Sequence, residues 1–356
     1  MNKPATLEEQ ALQEAALPDL LRGMDGQAVR TADRWPARRT ELAALLETVY
    51  GSMPPVRGET RCELLHESVV HPLQGARLRS LRVVPAGGPT FLLRLYLPPG
   101  TGPYGLLLHG DGCWHGPGDA VVGLCLARSM AFAQFNRVEV APDPPGHPPR
   151  MASAPGQPAA LAWWAWAHHR AIDALLQTGD IHPGRIAVVG HSRGGKAALL
   201  AGATDERIAL TSANNSGAGG AGCWRWRGPG AESLGDVCER FPHWFAPELG
   251  RFAGRESDLL LDQHTLKALI APRALLTTEA LDDAWANPLG SWLTHQAART
   301  VYRLLGAEDR IALAWRRGGH AHTEADWRAL LDFCDCLFCG SPRDPAWDAS
   351  PWTQPV

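Results

Sequence analysis

An α/β fold with a mostly parallel sheet, covered by helices on both faces, is predicted by three observations. Short apolar runs such as YGLLLHGDG (104–112) and RIAVVG (185–190) end at Gly, as buried strands feeding loops do. From about residue 158 onward such runs alternate with stretches of helical apolar repeat, the pattern of a parallel sheet. Hydrophobic residues make up 45% of the chain and charged residues 20%, a globular balance.

The elements follow in order. Residues 1–50 read as a helical lead-in, with WPARRTELAALLETVYG its most periodic part. RCELLHESVVH (61–71), RLRSLRVVP (77–85) and TFLLRLYLP (90–98) are extended segments bounded by Pro/Gly turns. YGLLLHGDG and NRVEVAPD (136–143) read as further strands. AALAWWAWAHHRAIDALLQ is a helix, RIAVVG a strand, RGGKAALLAGA (193–203) a helix and RIALTSANNSG (207–217) a strand. After a Gly- and Trp-rich excursion, PRALLTTEA is a strand, GSWLTHQAARTVYRLL a helix, RIALAWRRGGH a strand and TEADWRALLDFCDCLF a helix. The expected organisation is a lead-in over 1–50, a single catalytic domain over 51–340 with an insertion at 217–262, and an irregular Pro-rich tail over 341–356.

The 356 residues carry a formal net charge of -3, which argues against nucleic acid as a partner. No apolar run approaches the roughly 18 residues a membrane span needs; the longest, Ala120 to Ala127, is broken by Arg128. The acidic N-terminus lacks the basic start and apolar core of a secretory signal. The expectation is a cytoplasmic protein if the chain is complete, and a secreted or periplasmic one if a leader has been removed. Cys334, Cys336 and Cys339 fall in an amphipathic helical stretch, and no second Cys/His pair has zinc spacing, so they are expected to be buried helix cysteines. No metal or cofactor is expected. Trp supplies 14 of the aromatic residues, against 4 Tyr and 8 Phe, which suits core packing and sugar stacking alike. Lysine occurs only as Lys3, Lys196 and Lys267, so a lysine inside a catalytic motif stands out.

Gly190-His191-Ser192-Arg193-Gly194 matches G-x-S-x-G between a predicted strand and a predicted helix. There the motif has mechanical meaning: a sharp turn flanked by small residues lifts the serine above the sheet end, as in α/β-hydrolases. In that fold an acid and then a histidine follow the serine along the chain. Strand PRALLTTEA runs into Asp282-Asp283, and strand RIALAWRRGG into His320-Ala321-His322. The Arg193 N–H is one expected oxyanion donor, and the His109-Gly110-Asp111-Gly112 loop could supply another. The Arg193 guanidinium would stabilise a developing alkoxide and would also hold a carboxylate nearby. Lys196, four residues past Ser192 on the same helix face, can reach the pocket and suits sugar hydroxyls.

These residues resemble the glucuronoyl esterases of carbohydrate esterase family 15. The resemblance is carried by GHSRGGK, SGAGGA, FPHWF (241–245), DQHTLKALIAPRALLTTEALDDAWANP (262–288) and GGHAHTEADW (318–327). It spans roughly residues 160–340 and is weaker over 35–160. It implies cleavage of esters between 4-O-methyl-glucuronic acid on xylan and lignin alcohols, with Ser192 as nucleophile and Arg193 as oxyanion stabiliser. Lys196, Glu232 and Trp285 would contact the glucuronate. Fungal members place the triad glutamate where this chain has Asn215, so the acid is expected from Asp283, with Asp282 and Glu279 behind it. They also carry cysteines at the positions of His191 and Thr323, so their disulfide cannot form here. That alignment favours His322 as the base, whereas a bare GGH loop would favour His320; His322 is the expectation. The competing readings are a serine carboxylesterase for acetyl or aryl esters and a catalytically silent carbohydrate-binding homologue.

Overall fold

The computed structural model describes residues 6–113, 116–143 and 155–352. Among these, the strands are β1 (Thr60–Val70), β2 (Ala76–Pro85), β3 (Phe91–Leu97), β4 (Tyr104–His109), β5 (Met130–Phe135), β6 (Ile181–His191), β7 (Leu210–Asn214), β8 (Ala274–Ala280) and β9 (Ile311–Arg316). They form one sheet in the order β1-β2-β3-β5-β4-β6-β7-β8-β9. The pairings from β1 through β3 to β5 are antiparallel, and every pairing from β5–β4 to β8–β9 is parallel. This is the mostly parallel sheet of an α/β-hydrolase.

The helices are α1 (Leu7–Ala15), α2 (Trp35–Tyr50), α3 (Asp119–Ala127), α4 (Ala160–Gln177), α5 (Arg193–Thr204), α6 (Leu234–Arg240), α7 (Gln263–Ile270), α8 (Pro288–Leu304) and α9 (Glu324–Cys339). Strand alternation sorts them into two layers. Leu106, Leu108, Ile186 and Val188 join the core with α2, α4, α5 and α7. Leu107, Ala187 and Val189 face the other way and pack with α3 and α9. Central strands buried on both sides need near-continuous apolar runs, and β4 and β6 have them.

Three expectations change. NRVEVAPD is not a strand: Arg137–Glu139 is a 3-10 turn, and the strand is the preceding β5, MAFAQF. The Asn136 side chain accepts the Val138 N–H at 3.1 Å and so turns the chain, and the Arg137 side chain is drawn fully inside by a buried carboxylate. Ala120–Ala127, met in the sequence as a broken apolar run, lies within α3, with Arg128 as its C-cap. Of the three clustered cysteines on α9 only Cys334 is buried; Cys336 is half-buried and Cys339 is exposed at the helix end.

Helix α5 lies against β7 without room for another methyl group. A Cβ on Gly202 would stand 2.0 Å from Thr211 Oγ1 and 2.9 Å from Thr211 Cβ. Gly202→Ala is therefore expected to destabilise the protein by about 1–3 kcal/mol through overpacking. Thermal unfolding of the variant checks this; an unchanged midpoint would mean that the helix can move off the strand.

Candidate active site

Strand β6 enters the site and α5 leaves it, with Ser192 at the bend. Ser192 holds φ 52° and ψ -120°, a backbone that side-chain-bearing residues rarely adopt. The residues two before and two after it must be glycine for steric reasons. A Cβ on Gly190 would lie 2.1 Å from Gly194 O, and one on Gly194 would lie 2.0 Å from an Asp111 carboxylate oxygen. That carboxylate accepts the His191 N–H at 2.9 Å and pairs with Arg137.

Ser192 Oγ lies 3.0 Å from His320 Nε2, and His320 Nδ1 lies 2.6 Å from Asp283 Oδ2. Asp283 is buried and, as a carboxylate, only accepts, so His320 donates from Nδ1 and presents Nε2 to the serine. Ser192, His320 and Asp283 thus join in one hydrogen-bonded line.

The histidine that meets Ser192 is His320, not the expected His322. His322 stacks on Trp327, ring centroids 4.2 Å apart and planes at 19°. Its other face meets His191 at 5.5 Å. Burial, with His191 and His109 nearby, pushes its imidazole well below the ordinary histidine range. The residue following the base is then Ala321 rather than Thr323. Asp282 accepts the Gly318 N–H at 2.7 Å and so braces the loop that carries His320. Glu279 is fully buried, and burial pushes its carboxyl up to about 8. Asn215 fastens the two loops together: its Oδ1 accepts the Ala280 N–H at 2.8 Å and its Nδ2 donates to His320 O at 3.5 Å.

Lys196 is buried, not an exposed helix lysine. Its ammonium donates to Ser216 O at 2.6 Å and to Ala218 O, and lies 3.6 Å from Glu232 Oε2. Burial lowers its pKa, and Glu232 opposes that shift. Trp285, 38% exposed, stands with Lys196 and Glu232 around a cleft of about 180 Å³ that Ser192, Arg193 and His320 also line. Arg240 lies over the Trp285 ring at 4.9 Å. A second chamber of about 560 Å³ opens on the other side of Ser192 and His320, walled by Val121, Pro117, His322 and Trp327.

Of the two expected oxyanion sources, the His109–Gly112 loop is largely occupied. The Gly112 N–H donates to Phe135 O at 3.0 Å, and Asp111 is turned inward. Arg193 lies at the N-terminus of α5 and lines both chambers. Its guanidinium donates to Asp143 Oδ2 at 2.8 Å. Asp143, Arg137 and His243 were not singled out as site residues from sequence. The available signal for His243 was FPHWF, read there only as part of a resemblance.

A model of the fungal glucuronyl esterase family matches residues 152–306. The carbohydrate esterase MZ0003, from an unknown prokaryotic organism, is 30% identical, with 92% of this chain and 91% of that protein aligned. The 4-O-methyl-glucuronoyl methylesterase of Schizophyllum commune is also 30% identical, over 92% of this chain and 82% of its own length. Among solved structures, a family 15 glucuronoyl esterase from Caldicellulosiruptor kristjansonii superposes with a TM-score of 0.77 at 30% identity, covering 94% of this chain and 96% of that one. A promiscuous family 15 esterase from a marine bacterial metagenome gives 0.81 at 28% identity, covering 91% and 97%.

The two histidines should separate cleanly on substitution. His320→Ala is expected to lower kcat by about 10⁴-fold or more, as loss of a triad member does. His322→Ala should keep kcat within about tenfold and lower the unfolding temperature, because it removes a stacked, buried ring. Steady-state kinetics and thermal unfolding of both variants decide between them; the reverse pattern would restore His322 as the base.

Proposed function

This chain belongs to the glucuronoyl esterases of carbohydrate esterase family 15, and we propose that it hydrolyses esters of glucuronic acid, with or without a 4-O-methyl group, of the kind that join glucuronoxylan to lignin alcohols. The observation that carries the reading is the Ser192–His320–Asp283 line opening on a cleft with Lys196 and Glu232 inside and Trp285 at its edge.

Ser192 Oγ attacks the ester carbonyl carbon while its proton passes to His320 Nε2, and Asp283 stabilises the imidazolium that results. Negative charge develops on the carbonyl oxygen beside the Arg193 guanidinium and the N-terminus of α5. The tetrahedral adduct then collapses: the bond to the alcohol oxygen breaks, and His320 returns the proton to that oxygen. A uronoyl ester on Ser192 remains, and water removes it by the same two steps. An esterified uronate carries no charge, so recognition falls to its ring hydroxyls. The Lys196 ammonium donates to such oxygens, the Glu232 carboxylate accepts from such hydroxyls, and the Trp285 face suits a sugar ring.

Benzyl glucuronate should be hydrolysed with a much higher kcat/KM than p-nitrophenyl acetate; the opposite order would favour a general carboxylesterase. Ser192→Ala should lower turnover of both by about 10⁴- to 10⁶-fold. Retention of a few per cent activity would remove the serine mechanism. Trp285→Ala should raise KM for the glucuronate ester with kcat little changed, the pattern of lost uniform binding. Acetate ester hydrolysis has no sugar to lose and should scarcely respond. Equal losses on the two substrates would take Trp285 out of the sugar site.

A further inference from the structure

Behind Arg193 stands a group of buried charges that the triad chemistry does not use. The side chain of Asp143 is 1% exposed and accepts three hydrogen bonds: from Arg193 Nη1 at 2.8 Å, His243 Nε2 at 3.0 Å and Trp244 Nε1 at 3.0 Å. Its Oδ2 also lies 3.7 Å from Arg137 Nη2, and Arg137 pairs at its other end with Asp111. Two carboxylates and two guanidiniums therefore alternate in a neutral chain, Asp111–Arg137–Asp143–Arg193. One end accepts the His191 N–H beside the nucleophile, and the other ends at the oxyanion side of the cleft.

The guanidinium at that end also lies against a pair of aromatic rings. Its carbon lies 4.7 Å from the Trp244 ring centroid and 5.1 Å from that of Phe241, and these two rings stack at 3.8 Å with planes 4° apart. The same Trp244 indole that supports the guanidinium donates to Asp143. An arginine has many rotamers, and an oxyanion donor works only if held before charge develops. A charge chain of this kind rarely out-stabilises apolar packing of equal volume, so its presence beside a reacting centre calls for another account.

From this geometry we propose that Asp143 is a positioning residue for the esterase reaction, fixing the Arg193 guanidinium where the oxyanion forms. The proposal rests on the serine esterase reading, and not on the uronate preference. Burial works to raise the Asp143 pKa, but the bonds from His243, Arg193 and Trp244 more than reverse this and hold it well below the ordinary carboxylate range.

The test is a double-mutant cycle on p-nitrophenyl acetate and on benzyl glucuronate. Asp143→Asn should lower kcat by about 10²-fold on both substrates, the scale of a misplaced catalytic group, with KM nearly unchanged. In an Arg193→Ala background, Asp143→Asn should cost little more, since there is no guanidinium left to place. His243→Leu removes one donor to Asp143, and serves if Asp143→Asn does not fold; it should show the same pattern, weaker. Losses that multiply in the double variant would overturn the proposal. If Ser192→Ala left acetate hydrolysis intact, the esterase reading itself would fail, which keeps the two outcomes apart.

Discussion

At the bend between β6 and α5, Ser192 sits in a backbone conformation that costs of order 1–3 kcal/mol and persists only when its surroundings over-determine it. The buried Asp111 carboxylate supplies much of that constraint. It accepts the His191 N–H, fills the space that a side chain on Gly194 would need, and is itself neutralised by Arg137. Once the bend is held, the other positions follow from the sheet. β8 and β9 run parallel to β6, so the loops at their C-terminal ends carry Asp283 and His320 to the same edge. Asn215, just past β7, then bonds to both loops. An amide suits this task because it both donates and accepts, which a carboxylate in its place could not do.

The Lys196 side of the cleft is built on a different economy of charge. Lysine is rare in this chain, and two of its three lysines are buried in the fold: Lys196 beside Glu232, and Lys267, whose ammonium donates to Ser291 O at 3.0 Å. Burial pushes the Lys267 ammonium down and the Glu279 carboxyl up from their ordinary ranges. Lys196 differs because two carbonyls and a carboxylate surround it. A donor fixed in this way cannot follow a mobile ligand, and discriminates by position rather than by reach.

Most of the fold was legible because it rests on local pattern. β4 and β6 are continuous apolar runs, α4 and α8 keep a helical repeat, and the elbow has its own spacing. β5 was missed because its apolar run, MAFAQF, is short and diluted by alanine, whereas the β-branched residues of NRVEVAPD imitate a strand. What turns that segment is Asn136 capping and the burial of Arg137, a tertiary demand invisible in the run itself. The choice between His320 and His322 failed for a similar reason. Two residues apart in one loop, they differ only in which partner each meets: Asp283 for one, Trp327 for the other. Asp143 carried no local signal, because its three donors come from residues 50, 100 and 101 positions away.

Ser192 and His320 form a wall common to two separate chambers, and this bears on the fate of the covalent intermediate. On the proposed function, an acyl group on Ser192 would rest on the Lys196 side, leaving the larger chamber to the departing alcohol and to incoming water. That chamber does not select water by size. Another alcohol of suitable shape would reach the acyl group too, and would take it as a new ester rather than as an acid. The enzyme would then act as a transacylase whose product ratio is set by what fills the larger chamber.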